Sequence, residues 1–353
     1  MNIQDIQKLY GALPQGNALI KTMEEKSVRT IFLQGLLASA TPMFFASIVK
    51  RWQKTMLFVL NDNDEAGYFY NDLKTIAMPE NGQEQTAEVL FFPSSYRRAV
   101  KYGQRDAGNE ILRTEVLSRL SVINEAKATA SLPLCIVTEP SALAELVVAK
   151  HKLDEHTLSV SVGQTMDLTE TEKTLRSYGF QQVDYVYEPG QFAVRGSILD
   201  VYSFSSELPY RIDFFGNDVD TIRTFEVETQ LSKDKKEKVE IVPELATLSE
   251  EKIPFLQFLP KESVLVMKDL LYIHDTIERI YNEGFTAQAL TEQLEGRTEI
   301  EQNELRKQLQ ANLQLVTAQQ FNDDALNFKR IEFGTKHTNA KAIIHFNISP
   351  QPL

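Results

Sequence analysis

The chain has 353 residues, 42% of them apolar and 24% charged, which is enough to bury more than one core and excludes disorder of the whole chain. Its net charge of −12 argues against tight, sequence-independent binding to DNA, which needs a surplus of Lys and Arg facing phosphates. A single cysteine, Cys135, excludes an internal disulfide and a Cys-rich zinc site. In the run Leu134-Cys135-Ile136-Val137 it reads as a small buried hydrophobe. The start, Met1-Asn2-Ile3-Gln4-Asp5, has neither a basic nor an apolar region of a signal peptide, and no apolar run approaches the ~18 residues of a membrane span. The expectation is a soluble, cytoplasmic protein that uses no membrane.

Residues 1–151 alternate strands and amphipathic helices. Arg29–Gln34 is a predicted strand; a helix follows, with Thr41 as N-cap and Pro42 at the first helical position, where its missing N–H costs nothing. Phe44, Ile48 and Trp52 recur at helical spacing. Thr55–Leu60 is the second strand, and Ala66, Phe69, Tyr70, Leu73 and Ile76 stripe the next helix. Glu88–Phe92 is the third strand, Leu112, Val116, Leu120 and Ile123 mark a long helix, Leu134–Val137 is the fourth strand, and Ser141–Lys150 the next helix. Repeated β-then-α order predicts a mostly parallel sheet covered by helices.

From 152 to 240 the pattern becomes α+β. His156–Val162 reads as a strand. Thr169 and Glu172 have the capping-box spacing for a short helix ending at Gly179. Strands follow at Val183–Tyr187, Phe192–Val201, Tyr210–Phe215 and Val219–Phe225, separated by the turn sequences Glu188-Pro189-Gly190 and Gly216-Asn217-Asp218. The charge run Lys233–Lys238 reads as a solvated linker or loop. From 241 to 353 α/β character returns, with strands at Ser263–Met267 and Ala342–Phe346. Between them lies a helical stripe of Leu290, Leu294, Leu305, Leu309 and Leu313, too short for a coiled coil.

The most specific stretch is Glu188-Pro189-Gly190-Gln191-Phe192-Ala193-Val194-Arg195-Gly196-Ser197-Ile198-Leu199-Asp200-Val201-Tyr202. Pro209-Tyr210-Arg211-Ile212-Asp213-Phe214-Phe215-Gly216 and Ile222-Arg223-Thr224-Phe225-Glu226-Val227-Glu228-Thr229-Gln230 follow it. These three ordered blocks resemble a signature shared by UvrB and the bacterial transcription-repair coupling factors (Mfd), and the flanking α/β segments agree more loosely. The resemblance implies a degenerate P-loop, UvrB/helicase-like parallel sheet domain built from two chain segments, with an inserted α+β domain that docks onto UvrA. It further implies a repair adaptor whose segments beyond this chain bind RNA polymerase and double-stranded DNA and use ATP and Mg to release stalled polymerase. The docking residues it implies are Arg195, Gly196, Tyr202 and Arg211. The reading from the residues alone is compatible: Arg195 alternates with Phe192 and Val194, so its fork leaves the opposite face of its strand, either for a surface ion pair or for a partner carboxylate. Gly190 and Gly196 suit turn or strand geometry. Where relatives often carry a basic residue after the Gly-Phe that ends the preceding helix, Gln181-Gln182 follow Gly179-Phe180, leaving Arg211, Arg176 or Lys173 as substitutes.

A phosphate-cradling loop reads G-x-x-x-x-G-K-[ST]. The corresponding place reads Gly35-Leu36-Leu37-Ala38-Ser39-Ala40-Thr41-Pro42: the first glycine stays, while Ala40, Thr41 and Pro42 replace the second glycine, the lysine and the hydroxyl. The expectation is no ATPase site, no cofactor and no catalytic residue in this segment. Asp64-Glu65-Ala66-Gly67 and Asp154-Glu155-His156, which echo helicase boxes, read as structural, and the five His (151, 156, 274, 337, 345) lack metal spacing. The alternative, a UvrB-type excinuclease subunit, needs the lysine loop and a tyrosine-rich hairpin, where this chain offers only Tyr96 and Tyr102.

Overall fold

The structure is a computed structural model that describes residues 3–77, 86–95, 106–125, 133–245, 251–283, 298, 315–334 and 340–347. The leucine stripe at 290–313, Tyr96, Tyr102, His337 and the tail from 348 lie outside the described residues. The contacts divide the chain into two compact units. One comprises 1–104, 123–146 and 253–353, and the other 105–122 and 147–252. The sequence boundaries at 151 and 240 differ from this division mainly in the stretch 105–122, which packs with the second unit.

The first unit is an α/β layer structure. Strands β1 (Thr30–Gln34), β2 (Met56–Val59), β3 (Glu88–Phe92) and β4 (Leu134–Thr138) come from its first part. Two further strands, Val264–Lys268 and Lys329–Phe333, together with Ala342–His345, come from its last part. In sheet order they run Ala342–His345, β1, Lys329–Phe333, Val264–Lys268, β2, β4, β3, and every pairing is parallel. The two chain segments therefore interleave in one sheet, which neither could complete alone. Strands β1, β2, β4 and Val264–Lys268 are short apolar runs buried on both faces, the pattern of a helix-covered parallel sheet, while Ala342–His345 at the edge is partly exposed. Phe44, Phe45, Ile48 and Val49 on the helix Ala40–Trp52 pack with Phe58, Cys135, Val266 and Ile331 of the strands. Each such fully buried side chain contributes ~1.5–3 kcal/mol. Cys135 is the small buried hydrophobe expected, and burial pushes its thiol pKa up to about 12.

Several predicted elements are corrected here. Helices cover Ile3–Gly11 and Pro14–Glu24, where none was assigned; the second opens on Pro14 and buries Leu19 and Met23. The helix Ala40–Trp52 starts with Ser39 as N-cap, so Thr41 and Pro42 lie inside its first turn, where orphan N–H groups make Pro tolerable. The helix predicted over Ser141–Lys150 is broken into Pro140–Ala144, a strand Leu146–Val148 and a helix Lys150–Glu155, because Glu139 caps the first piece with bonds from the Ser141 and Ala142 N–H groups and Glu145 adopts extended backbone.

The second unit is built on a six-stranded sheet. Its strands, named here A to F, are Gln181–Gln182, Gln191–Arg195, Ile198–Val201, Tyr210–Phe215, Asp218–Phe225 and Ser232–Lys236, adjacent in that order. The A–B pair is parallel and the others are antiparallel. The predicted strand Phe192–Val201 is instead a hairpin, because Gly196 adopts φ +63° and turns the chain with Ser197. Val183–Tyr187 is not a strand; only the two residues before it pair. The charge run at 233–238 is no linker, since it forms strand F and enters Lys238–Ile241, which pairs with Leu158–Ser161. The helix Leu168–Ser177 is capped by Asp167, whose carboxylate accepts from the Glu170 N–H at 3.0 Å; Thr169 lies one residue inside. Leu175 of that helix, Phe192, Leu199, Val201, Ile212, Phe214 and Ile222 form the core on one face of the sheet.

Candidate functional site

The other face of this sheet carries the charged residues. Strand alternation sends Phe192 and Val194 into the main core, and Ala193 and Arg195 to the opposite side. There a smaller core of Val186, Ala193, Tyr202 and Phe225 supports a cluster of guanidinium and carboxylate groups.

Asp200 on strand C is its centre. The side chain is fully buried and accepts from Arg195 on strand B and from Arg211 on strand D. Arg211 approaches as a fork, Nε to Oδ1 at 2.7 Å and Nη2 to Oδ2 at 2.9 Å. This bidentate geometry is the strong, orientation-fixing form of the pair. The hydrogen bond to Asp200 holds the Arg211 guanidinium above its ordinary pKa. Its remaining donor reaches the Gln230 carbonyl at 3.1 Å, and its plane lies 4.4 Å from the Phe225 ring centre. Arg195 keeps 35% of its side chain exposed; it donates to the Asp184 carbonyl at 3.0 Å and lies 5.1 Å from the ring centre of Tyr185. Tyr185, and Tyr187 two residues further along the same segment, are more than half exposed. On strands D and E, Asp213 accepts from Arg223 and from the Thr221 hydroxyl.

The segment 183–189 is tied to the sheet by side chains. Gln191 Oε1 accepts from the Tyr187 and Glu188 N–H groups at 2.9 and 3.1 Å. Gln230, at φ +58°, donates through Nε2 to the Val227 carbonyl at 2.8 Å and the Val186 carbonyl at 3.4 Å. A non-glycine residue in the left-handed region is strained, and here the strain places one residue against both Arg211 and the tyrosine-bearing segment.

Of the residues singled out in the sequence, Arg195 and Arg211 meet on Asp200. Tyr202 lies on the same face, but its ring is in the small core and its hydroxyl donates to the Glu207 carbonyl at 2.7 Å. Gly196 is at the exposed hairpin turn. Arg176 lies against Phe192, within the other layer, and Lys173 pairs with Glu170. Sequence reasoning missed Asp200, Arg223, Tyr185 and Gln230. Asp200 carried a signal: it is the charged residue in the otherwise apolar run Ile198-Leu199-Asp200-Val201.

In the first unit, Gly35 (φ +85°) follows β1, and a Cβ there would overlap the Phe346 carbonyl oxygen. Ala38 has φ +48°. The Ala40 and Thr41 N–H groups donate to the Leu37 and Ala38 carbonyls, each at 3.1 Å. Both acidic sequences make contacts within their own unit. Glu65 pairs with Lys268 and accepts from the Asn61 N–H, and Asp154 accepts from the Ser121 hydroxyl at 2.6 Å. Among the described residues, His274, Asp275 and Glu278, on the helix Leu270–Glu283, bring potential ligand atoms within 4.8 Å of one another at the surface. No helix among the described residues is long and apolar enough to cross a membrane.

Residues 158–246 match the family model of the UvrB interaction domain. They span the sheet that carries Asp200 and its arginines. The chain is 33% identical to the transcription-repair-coupling factor of Escherichia coli K12 over 108 residues, covering 31% of this chain and 9% of that protein. It is 28% identical to the Haemophilus influenzae factor over 156 residues, covering 44% and 13%, and 25% identical to the Bacillus subtilis factor over 230 residues, covering 62% and 18%. The chain spans less than a fifth of the length of these relatives. Residues 158–246, in the second unit, thus match a UvrB interaction domain, and parts of the chain, up to 62% of it, are similar to bacterial transcription-repair coupling factors.

Proposed function

We propose that the chain is a docking module of nucleotide excision repair that recruits UvrA through the open face of its second sheet. The observation that carries this reading is the pairing of Arg195 and Arg211 on one buried carboxylate, within the matched domain and beside the exposed Tyr185. Arginine and aromatic side chains held rigid before contact are what interface hot spots require, since little conformational entropy remains to be lost. In this reading Arg195 contacts the partner, Arg211 and Tyr202 hold the surface in shape, and Gly196 sets the hairpin that presents it. Isothermal titration of the chain with UvrA tests it. Arg195→Glu is expected to weaken binding by ~2 kcal/mol, about 30-fold. Unchanged affinity would remove Arg195 from the contact.

The first unit belongs, in the same reading, to the UvrB/helicase-like class with a degenerate phosphate loop. Thr41 and Pro42 supply neither the lysine nor the metal-binding hydroxyl. The backbone N–H groups of Ala40 and Thr41, which a phosphate would need, are spent on the turn. The chain is expected to show no ATP turnover above a no-protein blank and no shift of its melting temperature with Mg-ATP; a saturable shift would end the argument for a relic loop. Release of stalled RNA polymerase and ATP-driven movement on double-stranded DNA, with their ATP and Mg, are assigned to segments outside these 353 residues. The site of action of such an adaptor is the cytoplasm.

A further inference from the structure

The register of the second sheet sets up a row of charge that works against folding. Ala193, Asp200, Arg211, Arg223 and Lys235 are successive cross-strand partners on strands B to F. Three cations therefore stand side by side on strands about 4.8 Å apart. Like charges directly opposite one another on antiparallel strands are destabilising. The carboxylates that pair with these arginines are already engaged: Asp200 is shared by Arg195 and Arg211, and Asp213 is taken by Arg223. Lys235 is exposed, with no ion pair among the described residues, and Arg223 keeps a third of its side chain exposed while its Nε is buried without a hydrogen-bond partner. This local surplus of cations occurs in a chain of net charge −12, where a lysine or arginine is scarcer than a carboxylate. A face serving solubility alone would set each cation opposite a carboxylate; violations of that local rule concentrate at functional sites.

We propose that Arg223 and Lys235, continuing the row from Arg211, read an acidic segment of the partner protein laid across strands D to F. The proposal rests on the docking face described above and extends it from Arg195 to the far edge of the sheet. A protein is favoured over a nucleic acid because the surplus is local and small, and the rest of the chain repels a polyanion. The exposed Tyr185 beside Arg195 fits a protein surface as well. The partner presents side chains and not a pairing strand, because strand F is an all-exposed edge bearing Lys233, Lys235 and Lys236, and lysines on an edge discourage strand addition.

The test compares the parent chain with Arg223→Gln, Lys235→Gln and their double variant, titrated with UvrA at low and high salt. Melting temperatures are taken alongside, and Arg195→Glu is run in parallel. The double variant is expected to bind UvrA about tenfold more weakly with a flatter salt dependence; Lys235→Gln, which breaks no ion pair among the described residues, is expected to melt at or above the parent's temperature because a repulsion is removed. A purely structural role would lower the melting temperature, and that result overturns the proposal. Parent-like affinity and salt dependence in the double variant, with binding lost in Arg195→Glu, overturns the row and leaves the docking face standing. Parent-like affinity in Arg195→Glu as well removes the docking face and the row with it. A short DNA duplex that binds the parent but not the double variant, with UvrA affinity unchanged, makes the occupant a nucleic acid and overturns the proposal.

Discussion

Asp200→Ala is expected to lower the stability of the second unit by about 3 kcal/mol, the low end for removing one partner of a buried ion pair. The carboxylate is wholly shielded and neutralises two guanidinium groups. With alanine there, Arg211, only 14% exposed, keeps its charge with no opposite charge in contact, while Arg195, 35% exposed, turns to water at smaller cost. The expected loss is therefore dominated by Arg211. The neighbouring pair is a control. Arg223 and Asp213 are 33% and 22% exposed, so Asp213→Ala should cost about 1 kcal/mol or less. Amide hydrogen exchange along strands B to E reads both variants without involving Trp52, which belongs to the first unit. Equal protection in the two variants would show that Asp200 does not organise the face. In the docking reading Asp200→Ala also weakens UvrA binding, since Arg195 and the row from Arg211 lose their common anchor.

Gly35→Ala is the second large effect, with an expected loss of about 3 kcal/mol in the first unit. Two costs combine: φ of +85° disfavours any residue with a Cβ, and the added atom overlaps the Phe346 carbonyl oxygen, which is backbone and cannot swing aside. Phe346 is held in place, because its N–H donates to the Gln34 carbonyl at 2.8 Å and its ring packs edge-on to Phe44 at 4.9 Å. Urea unfolding followed by Trp52 fluorescence measures the change, since Trp52 is the one tryptophan and lies in the same core. The outcome bears on function too. A glycine that survives at the first position of a phosphate-loop pattern invites a nucleotide reading, yet the strand Ala342–His345 beside β1 gives it a structural reason to stay. A midpoint unchanged by the substitution would remove that reason.

Local patterns carried much of this. Apolar runs such as Leu134–Val137 and Ser263–Met267 marked strands because a strand buried on both faces has no polar positions to spare. Alternation around Phe192-Ala193-Val194-Arg195 fixed which face Arg195 takes, and the departures of Ala40, Thr41 and Pro42 from the G-x-x-x-x-G-K-[ST] pattern were visible residue by residue. The order of strands was not visible. Nothing local says that Lys329–Phe333 inserts between β1 and Val264–Lys268, because that choice depends on which apolar surfaces remain uncovered once the whole sheet assembles. The charge run at 233–238 misled for the same reason: composition predicts solvation, and these residues are solvated, but their backbone still pairs with strand E.

By itself the sequence determined that the chain alternates β and α around an α+β insertion, that its signature blocks lie between 188 and 230, and that Gly35–Pro42 does not carry the lysine and hydroxyl of a G-x-x-x-x-G-K-[ST] pattern. Only the tertiary structure decided what those blocks hold. Asp200, Arg211, Arg223 and Lys235 are separated along the chain and become neighbours only through cross-strand register. Charge pairing acts across ångströms of space, and hairpin register, set by turns such as Gly196-Ser197, converts sequence distance into that space.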